Sequence, residues 1–261
     1  MSPSGTERGR PPAGPAPVFL TAQWRNLVLL SYEVDPAILA RRVPSGTELD
    51  SFGGRAFVSL VAFQFLHTRV LGVAVPFHRD FEEINLRFYV RRAAADEVRR
   101  GVVFLKEIVP RAAIAWVARR IYHENYIALP TRSECALPAA GGAGSGSLRY
   151  EWRQGGDWSH AFAEVRGAGY TPDPASLEAF ITEHHWGYAA QPDGGTLEYQ
   201  VEHPRWQVWR ASRSELACDV GALYGAEFVG PLSRPPASAL VADGTRVVVR
   251  RGVRLPAPGA R

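Results

Sequence analysis

The chain has 261 residues, 30 Lys and Arg against 26 Asp and Glu, and a formal net charge of +4. That length suits one large domain or two small ones, and the 46% hydrophobic content is that of a globular protein. The sequence pI is near 9.3. Acids are nevertheless interspersed among the arginines throughout, which argues against a nucleic-acid surface.

No apolar run approaches the ~18 residues that span a bilayer. Residues 1–17 are rich in Pro and Gly and lack a secretory h-region. They are expected to form a disordered tail, which predicts a cytoplasmic, non-membrane protein. In that compartment Cys135 and Cys218 are expected to be free thiols.

Asn26–Val34 reads as a strand, and Asp35-Pro36 as the cap and first residue of a short helix over 37–42. Thr47–Phe52 and Arg55–Leu66 read as strands joined by Gly53-Gly54, and 67–79 as a loop. Residues 81–90 alternate: Ile84, Leu86, Phe88 and Val90 share one face, and Glu83, Asn85, Arg87 and Tyr89 the other. In the next strand the same period puts Val102, Phe104, Lys106 and Ile108 on one face, and Pro110 ends it. Arg111–Arg120 reads as a helix, and Ile127-Ala128-Leu129 as extended chain.

Residues 138–147 (PAAGGAGSGS) are expected to be a flexible loop inside a single domain spanning 18–252, with 253–261 a second disordered tail. Leu148–Arg153 and His160–Arg166 read as a hairpin around Gly155-Gly156, and Asp173-Pro174 as the start of a second helix that ends at His184–Tyr188. Thr196–His203 and Arg205–Arg210 read as strands, Ser214–Leu223 as a short helix, and Ala226–Leu232 as extended. Asp243-Gly244 reads as a hairpin turn between Ala237–Val241 and Thr245–Arg250. About ten strands and two main flanking helices make an α+β fold, mostly antiparallel, of a kind that curls into a barrel or splits into two layers.

FEEINLRFYV, GVVFLKEIVPRAAIAWVARRIYHENY, EHHWGY and VEHPRW, in that order, resemble the YqjF-like family, domain of unknown function 2071. The resemblance spans roughly Trp24 to Val249 and implies the acetoacetate decarboxylase-like superfamily, with a conical antiparallel β-barrel around an axial cavity. The enzymes of that superfamily use a Schiff-base lysine in a Pro-Lys-Lys motif that follows a Gly-Arg-Glu-like run. Here Arg119 matches the arginine of that run, while Asn125 and Tyr126 stand where the lysines would be.

The candidate site therefore rests on other residues. Lys106, the single lysine, is a conditional imine-forming nucleophile or a salt-bridged structural residue. Glu83 and Glu124 are candidate proton carriers, and Arg87 and Arg119 candidate anion holders. Asn85, Tyr89, Tyr122 and Tyr126 complete the candidate ligand contacts. The spacing of His184, His185 and His203 disfavours a metal site, and His203 is expected to pack on a tryptophan.

These residues suit a cofactor-free small-molecule protein with an internal cavity, acting as a lyase-like enzyme on a carbonyl- or carboxylate-bearing compound. The alternative is a non-catalytic binding or sensing module. Self-association is left open.

Overall fold

The computed structural model describes residues 14–95, 97–112, 125–138 and 142–255. Their strands belong to one sheet: β1 (Val18–Val34), β2 (Glu48–Leu49), β3 (Ala56–Val70), β4 (Phe81–Ala93), β5 (Val98–Val109), β6 (Tyr126–Ala128), β7 (Thr131–Ala136), β8 (Ala143–Gln154), β9 (Asp157–Ala168), β10 (Trp186–Ala190), β11 (Thr196–Glu202), β12 (Val208–Ala217), β13 (Ser238–Arg250) and β14 (Val253–Leu255). The α-helices among the described residues are short: α1 (Pro36–Ala40), α2 (Leu177–Thr182), α3 (Val220–Tyr224) and α4 (Val229–Leu232). None is long and apolar enough to cross a membrane.

Hydrogen bonding runs through β11-β10-β5-β4-β3-β1-β13, and a further β13–β11 pairing (Val201 with Val249) returns the circuit to its start. β12 leaves this circuit. Its first residues pair with β13 and the rest with β9, which carries β8 and β7. Most pairings are antiparallel, but β5 pairs in parallel with both β6 and β10, so the sheet is mixed.

Each face of the circuit is buried against a different partner. One cluster joins Leu30, Leu60, Leu86 and Phe88 to Tyr150 and Trp152 of β8, Ala163 of β9 and Phe228. The other joins Leu29, Phe57, Phe63 and Tyr89 to Phe180 and Ile181 of α2 and to Trp206. A strand buried on both faces can carry its polar row only in an interior, and β4 does so.

Several expectations change in the structure. Of the two main helices, the first, Arg111–Arg120, lies from residue 113 onward outside the described residues. The second is only α2, six residues capped by the Ser176 hydroxyl, which accepts from Ala179 N at 3.1 Å. The chain is extended again at Trp186 because the Trp186–Ala190 backbone pairs with β11. The α1 cap is as read: Asp35 accepts from Ala37 N at 2.9 Å.

The supposed loop 138–147 is a strand from Ala143 onward, paired with β9 throughout and with β7 from Ser147. Its glycines serve close packing: a Cβ on Gly146 would lie 2.5 Å from the Ala136 carbonyl oxygen. The Asp243-Gly244 turn is absent, and β13 runs straight through it. Gly244, at φ 84°, lies against β1, where a Cβ would come within 2.1 Å of the Trp24 carbonyl oxygen. A positive-φ residue whose neighbour strand continues on both sides bends the chain without reversing it. Ser214–Ala217 is strand rather than helix, and 226–232 is helical rather than extended. Cys135 and Cys218 are free thiols, and burial pushes both up, Cys218 to about 12.

Candidate functional site

The site begins with the polar row of β4. Glu83 is 4% exposed, Asn85 1%, Arg87 8% and Tyr89 0%, all on the face that packs toward α2. Burying a carboxyl and a guanidinium is costly unless each finds partners. Glu83 finds two: Asn85 Nδ2 donates to Oε1 at 3.0 Å, and the Tyr126 hydroxyl donates to Oε2 at 3.2 Å. Burial still dominates and pushes its carboxyl from 4.5 to about 7, against those two hydrogen bonds and the positive charge of Arg87. Arg87 reaches only the Ile181 carbonyl oxygen, at 3.4 Å, and its Nε has no hydrogen-bond partner among the described residues.

Tyr89 is tied across the sheet to Ser59, which lies opposite Arg87. Its hydroxyl is 2.5 Å from Ser59 Oγ, which is 2.7 Å from Ser31 Oγ, a buried chain across β4, β3 and β1. That is a structural use for a residue expected to contact ligand.

Lys106 is not part of this interior row. The β4–β5 register slips between Leu86 and Arg87: Arg87 faces Phe104, whereas Leu86 faces Lys106. A β-bulge at this point breaks the period of two. Val102 and Phe104 stay on the Arg87 face, while Lys106 and Ile108 cross to the face of Leu86 and Ile84. Glu107 takes the interior place, opposite Asn85 and beside Tyr126, and is 1% exposed. The expectation that Lys106 shares a face with Phe104 is thus corrected, and a second buried acid replaces it. Of the remaining candidates, Arg119, Tyr122 and Glu124 lie outside the described residues, whereas Tyr126 joins Glu83.

A cavity of about 30 Å³ opens at the Arg87 end of the row. Its walls are largely aromatic: Trp24, Phe104, Trp186, Tyr199 and Trp206. The parallel β5–β10 pairing brings Gly187 opposite Val102, and Gly187 lets Tyr199 lie across it, since a Cβ there would be 2.2 Å from the phenol ring. His203 stacks on Trp206 at 4.4 Å and 21°, as expected, and burial depresses its imidazole to about 4.

His184 also lines the cavity. The sequence offers it only as a metal candidate, because its neighbour in space, Asp50, is 134 positions away in the chain. The short β2–β4 pairing delivers Asp50, whose N–H donates to the Tyr89 carbonyl at 3.0 Å. Among the described residues no cluster of three or more metal-ligating side chains occurs.

Comparison with known proteins agrees with this architecture. The chain is 28% identical over 211 residues to the uncharacterized protein YqjF of Bacillus subtilis, covering 79% of this chain and 80% of that one. Among solved structures it is similar to the enduracididine biosynthesis enzyme MppR complexed with pyruvate. The TM-score is 0.63 at 16% identity, over 98% of this chain and 99% of that one. It is also similar to the acetoacetate decarboxylase of Legionella pneumophila (TM-score 0.61, 13% identity, 98% of both chains). A third similar structure is an acetoacetate decarboxylase-like enzyme of Sphingomonas wittichii (TM-score 0.62, 14% identity, 97% of this chain and 100% of that one). The fold is therefore acetoacetate decarboxylase-like, and, with a family model matching residues 21–246, the chain belongs to the DUF2071 family of uncharacterized conserved proteins.

Proposed function

We propose that this protein is an enzyme that binds a small carboxylate at Arg87 and moves a proton with Glu83, a lyase-like chemistry that needs neither a cofactor nor Lys106. The observation that carries the reading is the pairing of two buried groups on one strand face: a guanidinium at an aromatic cavity, and a carboxyl held near pKa 7. Such a carboxyl both accepts and releases a proton at neutral pH. Four residues of strand separate their α-carbons by roughly 13 Å. In this reading a ligand held at Arg87 reaches along the strand face to the Glu83 carboxyl. In this reading the closed strand circuit is a barrel and the cavity lies at its mouth. The pyruvate named with the similar MppR structure is a ligand of the expected class.

The reaction that tests it is proton exchange next to a carbonyl. The carboxylate of Glu83 takes a proton from the carbon beside the ligand's carbonyl, the electron pair moves into the enolate, and the carboxylic acid returns a solvent-derived proton. Incubation with pyruvate in D2O, followed by proton NMR, should show loss of the methyl signal above the solvent rate. That rate should rise with pH through about 7 and be abolished in Glu83→Gln. Arg87→Gln should weaken pyruvate binding.

A second reading, a non-catalytic binding module, draws on one observation: Glu83 is already hydrogen-bonded by Asn85 and Tyr126 and does not line the cavity. Arg87-dependent pyruvate binding without exchange would select it. Binding that ignores Arg87→Gln would end both readings.

A further inference from the structure

His184 is a buried imidazole at the cavity wall with almost nothing to bond. It is 7% exposed, and neither ring nitrogen has a hydrogen-bond partner within 3.5 Å among the described residues. Asp50 Oδ2 lies 3.8 Å from Nε2. The ring is fixed by packing, 4.6 Å from the Tyr89 ring and edge-on to Phe180 at 5.2 Å. Asp50 is fixed as well: Arg100 Nε donates to Oδ2 at 2.7 Å, and Ser51 N donates to Oδ1 at 3.0 Å. The guanidinium of Arg100 helps to hold the Asp50 carboxyl below the usual carboxylate range, against the cost of burial, so it is an anion.

An imidazole held rigidly with both nitrogens unsatisfied is costly in an interior, and such groups mark places where something else bonds. Burial, with Arg87 and Arg100 nearby, keeps His184 neutral, at about 4. A neutral imidazole carries one N–H and one lone pair. The anion beside Nε2 favours the proton there, which leaves the lone pair on Nδ1. The same cavity is lined by Arg87, whose Nε has no hydrogen-bond partner among the described residues. Its polar lining thus includes one cation, Arg87, and the neutral acceptor of His184, beside Thr182, Tyr199 and His203 and between aromatic walls, and its volume limits the occupant to a few non-hydrogen atoms.

We propose that the cavity selects a small carboxylate bearing a hydroxyl beside the carboxyl group, a 2-hydroxy acid or the enol form of a 2-oxo acid. Arg87 holds the carboxylate, His184 Nδ1 accepts from the hydroxyl, and Asp50 acts as the positioning residue that sets the tautomer. This deepens the carboxylate reading and rests on it. A site built to accept a hydroxyl discriminates against the analogue that lacks one, because the acceptor is then left unsatisfied.

The test compares lactate with propionate, which differ by that hydroxyl, by titration calorimetry on the full chain. Wild type should bind lactate about tenfold more tightly than propionate. His184→Leu should erase the preference, whereas His184→Asn, with an acceptor near the Nδ1 position, should keep it. Asp50→Asn should reduce the preference without removing Arg87-dependent propionate binding. If both acids bind equally in wild type and both weaken in Arg87→Gln, the hydroxyl inference is overturned and the carboxylate reading stands. If neither binds, or binding ignores Arg87→Gln, both are overturned. Imidazole nitrogen NMR of the wild-type protein gives a readout independent of the variants' folding. An Nε2–H tautomer whose Nδ1 resonance moves with lactate and not with propionate supports the assignment, and an Nδ1–H tautomer overturns it.

Discussion

On one face of β4, Ile84, Leu86, Phe88 and Val90 are wholly buried among aliphatic and aromatic side chains from β1, β3, β8 and β9. On the other, Glu83, Asn85 and Arg87 are buried almost as deeply but surround polar atoms with few partners. The two rows have the same backbone and nearly the same burial, so exposure does not separate them. The hydrocarbon row gains stability with every contact it makes. The polar row gives some of that up, and a protein keeps such a row where it binds or reacts. One strand thus anchors the core with its even-numbered residues and the site with its odd-numbered ones.

The largest effect should come from breaking the hydrocarbon row. Phe88 is 0% exposed, and Phe88→Ala removes a ring from a close-packed cluster. The expected cost is about 3–5 kcal/mol of unfolding free energy, read as a lowered urea midpoint. At low denaturant the surviving folded fraction should keep the pyruvate affinity of wild type. A variant that lost affinity in proportion to stability would mean the two faces are not separable.

Replacing Glu83 by Gln should do the opposite, and in a pH-dependent way. The folded carboxyl titrates near 7, the unfolded one near 4.5. Below 4.5 both states are protonated and the group adds no penalty. As pH rises through about 7 the folded state must ionise a buried acid, and stability is lost. Glu83→Gln escapes this loss, so the stability difference between variant and wild type should grow in the variant's favour from pH 4.5 to above 7. A difference that stayed flat over that range, measured by urea unfolding at each pH, would show that Glu83 does not titrate there.

The hydrocarbon row was readable from sequence because alternation persists over ten residues, and so were the Asp35 cap and the Gly155-Gly156 hairpin. The interior position of Glu83, Asn85 and Arg87 was not, since both faces of β4 carry residues compatible with a core and only tertiary packing chooses. His184 and Asp50 were missed for a related reason: the contact joins β2 to the segment after α2, and neither residue lies in a local pattern. Local turn chemistry misled at Asp243-Gly244 and in AGSGS (143–147), where glycine serves close approach between strands and not a loop. Resemblance to the family supplied the fold type, which strand counting alone could not choose.

The smallest effect is expected at Lys106, and it sharpens the comparison of faces most directly. Uninterrupted alternation would have placed its amine beside Phe104 and the cavity. The bulge places it opposite Leu86, half-buried on the hydrocarbon side, where its flexible stem can cover apolar surface. Lys106→Met preserves that stem and removes the charge, so stability should change by no more than about 1 kcal/mol, and pyruvate exchange should be unaltered. Borohydride reduction in the presence of pyruvate should leave the Lys106 peptide unmodified, the N-terminal amine being the only competing primary amine. A reduced adduct on Lys106 that disappears in Lys106→Met would put the amine in the ligand's reach. It would overturn the register slip as the divider of the two faces, because an amine opposite Leu86 and a carboxyl on the Glu83 face cannot both meet one small ligand.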